Sequence, residues 1–276
     1  MPDIHSLSRD VSPRDPMLDL LPPPFEWCDI PAGQVRLEAN AFSVAVAPFK
    51  MAKYPITFAQ FQAFVDAPDG FADPRCWQGL AANASHRSAP GDQQWKIDNH
   101  PRENVSWWDA AAFCQWLNAR LGLPPVPADL TPETLAACPS LRLPTEWEWQ
   151  WAAQGPDGRA FPWGSEYKSG YANIVEVARN VALGKYHGQT TPVGSYPQGA
   201  SPYGVLDLSG NVLEWCLNKY RFPQKISLGG RDARVVRGGS WRNNQNHARA
   251  SYLDFDNPGS RINYNGFRVV CGSPSL

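Results

Sequence analysis

Proline and glycine punctuate this chain from one end to the other, with 27 prolines and 22 glycines in 276 residues. Proline interrupts helices and central strands, and glycine takes the backbone into turns that other residues resist. A chain so punctuated predicts short elements joined by many loops. Its length and its 43% hydrophobic content still provide for one large core. The 12 tryptophans are read first as packing material for that core.

The charge balance excludes some partners. A net charge of -1, with 18% charged residues, gives no basic surface for nucleic acid to follow. No apolar run reaches the roughly 18 residues that span a bilayer. The first residues, Met1 to Ser6, are polar with no apolar segment behind them, so no signal peptide is expected and the cytoplasm is the expected location. Cys28, Cys76, Cys114, Cys138, Cys216 and Cys271 are scattered without a C-x-x-C pair. They are read as free, buried thiols, and no zinc site is legible.

Residues 1–24 are polar and end in Leu21-Pro22-Pro23-Pro24, which predicts an extended arm before a domain over 25–276. Alternation over 35–39 and 42–46 predicts two short strands. Three helices have legible starts. Thr57 is placed to cap one that buries Phe58, Phe61, Phe64 and Val65. Ser106 with Asp109 and Thr145 with Glu148 have capping-box spacing. Residues 67–104 and 122–140 read as surface excursions.

Eight motifs then fall in one order. They are Met51-Ala52-Lys53-Tyr54-Pro55-Ile56-Thr57, Asn104-Val105-Ser106-Trp107-Trp108, Leu141-Arg142-Leu143-Pro144-Thr145-Glu146-Trp147-Glu148-Trp149, Phe161-Pro162-Trp163-Gly164, Pro192-Val193-Gly194, Leu208-Ser209-Gly210-Asn211-Val212-Leu213-Glu214-Trp215, Arg237-Gly238-Gly239-Ser240-Trp241 and Gly266-Phe267-Arg268. The series resembles the formylglycine-generating-enzyme (sulfatase-modifying factor) family from about residue 25 to 270. The resemblance implies an α+β, C-type-lectin-like fold with short strands, a few helices and much irregular structure.

The stretch between Trp241 and Gly266 is similar to something narrower, the variable region of proteins diversified by retroelements. In those systems template adenines are replaced at random, and Asn codons are the usual targets. A skeleton of Gln245, Ala248-Arg249-Ala250-Ser251-Tyr252, Pro258 and Arg261 separates the positions expected to vary: Arg242, Asn243, Asn244, Asn246, His247, Leu253, Asp254, Phe255, Asp256, Asn257, Gly259, Ser260, Ile262, Asn263, Tyr264 and Asn265. Changing the first two bases of an Asn codon cannot yield Lys, Glu, Gln, Met or Trp, and none of these occurs at those positions. An ordinary polar loop would explain the Asn, Gly, Asp and Ser. It would not explain Phe255, Ile262 and Tyr264 among them.

The resemblance also raises catalysis. The family's oxidases use a copper-binding cysteine pair between the Gly-Gly-Ser and Gly-Phe-Arg motifs, and residues 242–265 contain no cysteine. A second branch holds iron through closely spaced histidines. Here His5, His86, His100, His187 and His247 are far apart in sequence. Neither copper nor iron is therefore expected, and the chain is expected not to be an enzyme. The resemblance places a structural calcium at Asn211 and Glu214, whose oxygens suit a hard cation. Asn173-Ile174 belongs to a second calcium site that Lys185 would repel. The expected function is display of a variable surface that binds a protein or other macromolecular ligand. The alternatives are a sulfur-oxidising (formylglycine-generating or sulfoxide-synthase-like) enzyme of the same fold, or a subunit of a larger assembly.

Overall fold

The computed structural model describes residues 15–37, 42–131, 134–135, 137–178, 181–182 and 187–272. The three long helices start at the predicted caps. In α2 (Phe58–Asp66), the Thr57 hydroxyl accepts from Gln60 N–H and the Gln60 side chain accepts from Thr57 N–H. Ser106 with Asp109 opens α4 (Trp107–Leu121), and Thr145 with Glu148 opens α5 (Glu146–Gln154), in the same reciprocal way. Each box satisfies two donors that a helix start leaves unpaired. Gly122, at φ 67, ends α4 in the left-handed region that glycine tolerates. Two single turns, α1 (Met17–Leu20) and α3 (Ala84–Arg87), and two 3-10 turns, Pro74–Trp77 and Pro197–Gly199, add to these helices.

Two four-stranded sheets carry the chain. In the first, β1 (Trp27–Ile30), β4 (Phe49–Ala52), β14 (Val270–Gly272) and β6 (Leu141–Arg142) lie in that order, all antiparallel. In the second, the order is β12 (Leu253–Asp256), β11 (Arg234–Arg237), β9 (Leu213–Lys219) and β13 (Asn265–Gly266), with β13 parallel to β9. Three two-stranded ribbons flank them: β2 (Gly33–Leu37) with β3 (Phe42–Val46), β5 (Asp129–Leu130) with β10 (Ile226–Ser227), and β7 (Val177–Ala178) with β8 (Val181–Ala182). The expected turn between the first ribbon's strands, and residues 38 and 39 of the first strand, lie outside the described residues. The element inventory is that of an α+β, C-type-lectin-like domain.

The core joins helices to sheets through aromatic side chains. Phe61 and Phe64 of α2 meet Phe113 of α4 with ring centroids 5.8 and 5.7 Å apart, and Phe113 meets Phe267 at 5.4 Å. Phe267, fully buried, comes from the Gly-Phe-Arg motif and ties it to both helices. All six cysteines are unpaired and buried.

Two organisational expectations change. Of the arm proposed for residues 1–24, residues 1–14 lie outside the described residues. Residues 15–24 are not an extended arm: α1 lies there, Met17 and Leu21 are buried in the core, and the Gln60 amide donates to the carbonyls of Pro22 and Pro24. Burying these apolar side chains outweighs the polar composition around them. The excursion over 67–104 is likewise more than surface. It buries Phe71, Trp77, His100, Arg102 and Glu103 and reaches the C-terminal window described next.

Candidate binding face

The segment from Arg242 to Asn265 is a chain of tight turns around the sheet-edge strand β12. Backbone N–H groups of Asn243, His247, Tyr252, Ser260 and Asn265 donate to the carbonyls of Ser240, Asn244, Arg249, Asn257 and Ile262 in turn. Short polar side chains close several of these turns. Asn244 Oδ1 accepts from Asn246 N–H at 3.0 Å, and Asp256 Oδ1 accepts from Asn257 N–H and the Ser260 hydroxyl at 2.7 Å each. Asn, Asp and Ser suit these places because their side chains reach their own backbone.

The turns are fixed from beneath by residues outside the proposed variable set. Gly238 and Gly239 have φ 93 and 70, and a Cβ on Gly239 would lie 2.9 Å from the His247 carbonyl oxygen. Ala248 and Ala250 are fully buried, and the Ser209 hydroxyl donates to the Ala248 carbonyl at 2.5 Å. Arg261 reaches back across the fold. Its Nε and Nη2 donate to both oxygens of Asp109 at 2.8 and 2.7 Å, and its remaining N–H groups go to the carbonyls of Ala89 and His86. Burial alone would raise the Asp109 carboxyl's pKa. Hydrogen bonds from His86 and Arg261 hold it below the usual carboxylate range. Asp109 therefore caps α4 and anchors the window at once.

Most of the sixteen candidate positions reach the surface. Arg242, Asn246, Phe255 and Asn257 are exposed. Asn243, Asn244, His247, Leu253, Asp254, Asp256, Gly259, Ser260, Ile262, Asn263 and Tyr264 are half-buried, with Leu253 and Tyr264 packed against the main core. Asn265 is buried, because as part of β13 it lies against β9, and it is taken off the face. Of the skeleton residues, Pro258 is buried and Arg261 is clamped, but Arg249 is exposed and bonds only locally to the Asn246 carbonyl.

Sequence reasoning missed three contributors. Gln94 and Trp95 sit beside the window on the excursion, with Asn263 Nδ2 donating to Gln94 Oε1 at 2.6 Å and the Trp95 ring edge-on to Trp241 at 5.3 Å. The buried Glu103 carboxylate fixes that loop by accepting from the N–H groups of Gln94 and Trp95. Tyr220, just past β9, stacks on Phe255. No local periodicity marks these residues, since their partners are distant in the chain. A cavity of about 500 Å³ lies elsewhere, lined by Phe42, Val44, Leu130, Trp147 and Gln224 among others.

Asn211 and Glu214, the residues expected to hold calcium, hydrogen-bond to other groups of the fold. Glu214 is fully buried, and its two oxygens accept from Arg268 Nη2 and Nε at 2.6 and 2.7 Å, with Trp149 Nε1 adding a third bond at 2.7 Å. The Asn211 side chain serves Thr191 and Asn173. The Arg268 guanidinium balances the Glu214 charge. Lys185 lies outside the described residues. Among the described residues no three His, Cys, Asp or Glu side chains converge. The neighbouring Asp207 is buried near Arg268 and Glu214. It accepts from Gly194 N–H at 2.7 Å, and burial pushes its pKa up to about 6.

That shift has a sign that can be checked. The folded state holds the Asp207 proton more tightly than the unfolded chain, whose aspartates titrate near ~4. Stability should rise as pH falls through about 6 and level off near about 4, by up to roughly 3 kcal/mol. Asp109 acts in the opposite sense at lower pH. The melting temperature should climb more steeply between about pH 7 and 5 for the native chain than for Asp207→Asn, in which Glu103, Glu146 and His100 still titrate. Parallel curves for the two proteins would refute the assignment.

A C-type-lectin-like domain whose C-terminal window is held open on a rigid base is the class of protein this geometry defines. Residues 25–272 match the family model described as sulfatase-modifying factor enzyme 1-like domain, and the chain belongs to that family. It is 28% identical over 269 residues to hercynine oxygenase of Mycolicibacterium smegmatis, covering 84% of this chain and 55% of that protein. It is 27% identical over 280 residues to formylglycine-generating enzyme of Mus musculus, covering 84% and 68%. The chain thus spans about half the length of the hercynine oxygenases it matches. In fold it is similar to Treponema denticola variable protein 1, with a TM-score of 0.65 and 22% identity over 90% of this chain and 95% of that one. These relatives overturn the expectation that the chain is not an enzyme, because two of the three are named as enzymes. Among the described residues no helix is long and apolar enough to cross a membrane.

Proposed function

We propose that the chain binds a protein or other macromolecular ligand through the face around residues 242–264, and that a retroelement diversifies this window. The observation that carries the reading is a division within one short segment. Trp241, Ala248, Ala250 and Phe267 are buried, while Phe255 is 48% exposed among half-buried polar residues. An exposed aromatic set among Asn, Ser and Asp resembles an antibody paratope, where rigid rings supply contact area and short polar groups adapt. Six unpaired, buried cysteines suit a reducing compartment and support the cytoplasm as the location.

A library tests this. Codons for Arg242, Asn246, His247, Phe255, Asn263 and Tyr264 are randomised with a pyrimidine third base, displayed on yeast and panned on lysozyme and on serum albumin. Most members should fold, and distinct binders to each protein should emerge. A library that is mostly unfolded, or that yields no binder to either, overturns the reading.

The enzymes among the relatives favour a second reading, oxidation of a sulfur-containing substrate. Because residues 242–265 contain no cysteine, such chemistry would use other groups. Oxygen uptake with a cysteine-bearing peptide in the presence of copper(I) or iron(II) would carry this reading. Calcium belongs to the proposal at Asn211 and Glu214, the ligands that the family resemblance names. Calcium should then raise the melting temperature of the native chain and leave Asn211→Ala unchanged. An equal response in both would remove it.

A further inference from the structure

Three candidate variable side chains of different chemistry each lie against an aromatic ring outside the variable set. Phe255 stacks on Tyr220 with centroids 3.9 Å apart and planes 20° from parallel. The Arg242 guanidinium lies 5.7 Å from the Trp241 ring centroid. The His247 imidazole meets Tyr252 at 4.8 Å, nearly edge-on. The Trp241 ring is held by its own Nε1, which donates to the Asn263 carbonyl, and the Tyr252 hydroxyl donates to Asp254 Oδ2 at 3.1 Å. The backbone beneath Tyr220 and Tyr252 is fixed by their N–H groups, which donate to the carbonyls of Ala233 and Arg249.

We propose that Tyr220, Trp241 and Tyr252 are aromatic platforms that let the positions above them change without unfolding the domain, and that Tyr220 joins the binding face whenever position 255 carries a small side chain. The inference rests on the reading that the window varies. Its physical basis is the tolerance of a π face. A ring attracts a phenyl by offset stacking, a guanidinium by cation–π contact and an imidazole by its edge. A hydrogen-bonding or charged partner in the same place would suit one kind of side chain and be left unsatisfied by the rest. With Asn, Ser or Gly at 255, the Tyr220 ring, already 37% exposed, would lie open to a ligand's aromatic or cationic group.

The test is a thermal double-mutant cycle on the full chain. Phe255→Arg, Phe255→His and Phe255→Ser are made with Tyr220 present and again with Tyr220→Leu, which keeps an apolar side chain but removes the π face; Ser is the reference because Gly inside β12 would add a backbone cost of its own. With Tyr220, the Arg and His variants should melt about 2 °C above the Ser variant. With Tyr220→Leu, that advantage should fall below about 1 °C. The same advantage in both backgrounds, or Arg and His variants that melt below Ser with Tyr220 present, overturns the platform. Tyr220→Ser serves as the second background if Tyr220→Leu aggregates. No ligand enters this cycle, so its outcome is separate from the library's: absence of binders removes the binding reading alone, and absence of coupling removes the platform alone.

Discussion

Arg268→Ala is expected to lower stability by about 3–5 kcal/mol, enough to leave much of the protein unfolded. The side chain is fully buried, and its guanidinium spends its donors on the fold. Two bonds go to the Glu214 carboxylate at 2.6 and 2.7 Å. The others go to the carbonyls of Ala52, Lys53 and Leu206 at 2.8–3.1 Å. One residue thus joins the end of β4, the strand β9 and the segment before Gly210. Truncation would leave Glu214 as a buried anion facing only Trp149, with carbonyls unpaired around it. Lysine would not restore the site, because a single ammonium cannot match the planar fork. The double variant Arg268→Met with Glu214→Gln should recover part of the loss, since it removes both charges together. Urea titration with the slope held constant measures all three. A loss under about 1 kcal/mol for Arg268→Ala would mean that the pair is dispensable.

The same region shows what sequence can and cannot carry. The three helix starts were legible because their signals are local: a capping threonine at position 57, and capping boxes written within four residues at Ser106 and Thr145. The Gly-Phe-Arg motif was legible as scaffold because its place in the order of motifs marks it. The role of Arg268 was not legible, since Glu214 lies 54 positions away in the chain. Distance in sequence also hid the far wall of the face. Asn263 and Gln94 are separated by 169 positions, and Arg261 and Asp109 by 152, so no window of residues contains both partners. The fate of Asn265 was hidden differently. Its codon fits the variable pattern, but two residues of parallel pairing with β9 bury it, and a two-residue strand leaves no alternation to read. Residues 15–24 failed through composition, because polar neighbours obscured the few apolar side chains, Met17 and Leu21, that dock.

The second large effect divides the window in two. Trp241→Ala should cost about 3–5 kcal/mol, and Phe267→Ala about the same, as buried aromatic truncations do. Trp241 is 7% exposed, donates its indole N–H to the Asn263 carbonyl and supports the edge of Trp95, so its loss opens a cavity and frees two segments of the face. Phe267 sits between Phe61 and Phe113 with no exposure at all. Phe255→Asn should cost about 1 kcal/mol or less, because nearly half of the ring is already in water and only its stacking on Tyr220 is lost. Tyr264→Asn should fall between these, since that ring is half-buried against the core and lies under the Arg242 guanidinium at 5.1 Å. The order of the four losses is the quantity to measure, by thermal or urea denaturation of purified variants. A structural loop would hold its apolar residues for packing, and Phe255→Asn would then cost as much as Trp241→Ala. That equality would leave the exposed aromatic ring without a role in binding and would return the window to an ordinary loop of the family fold.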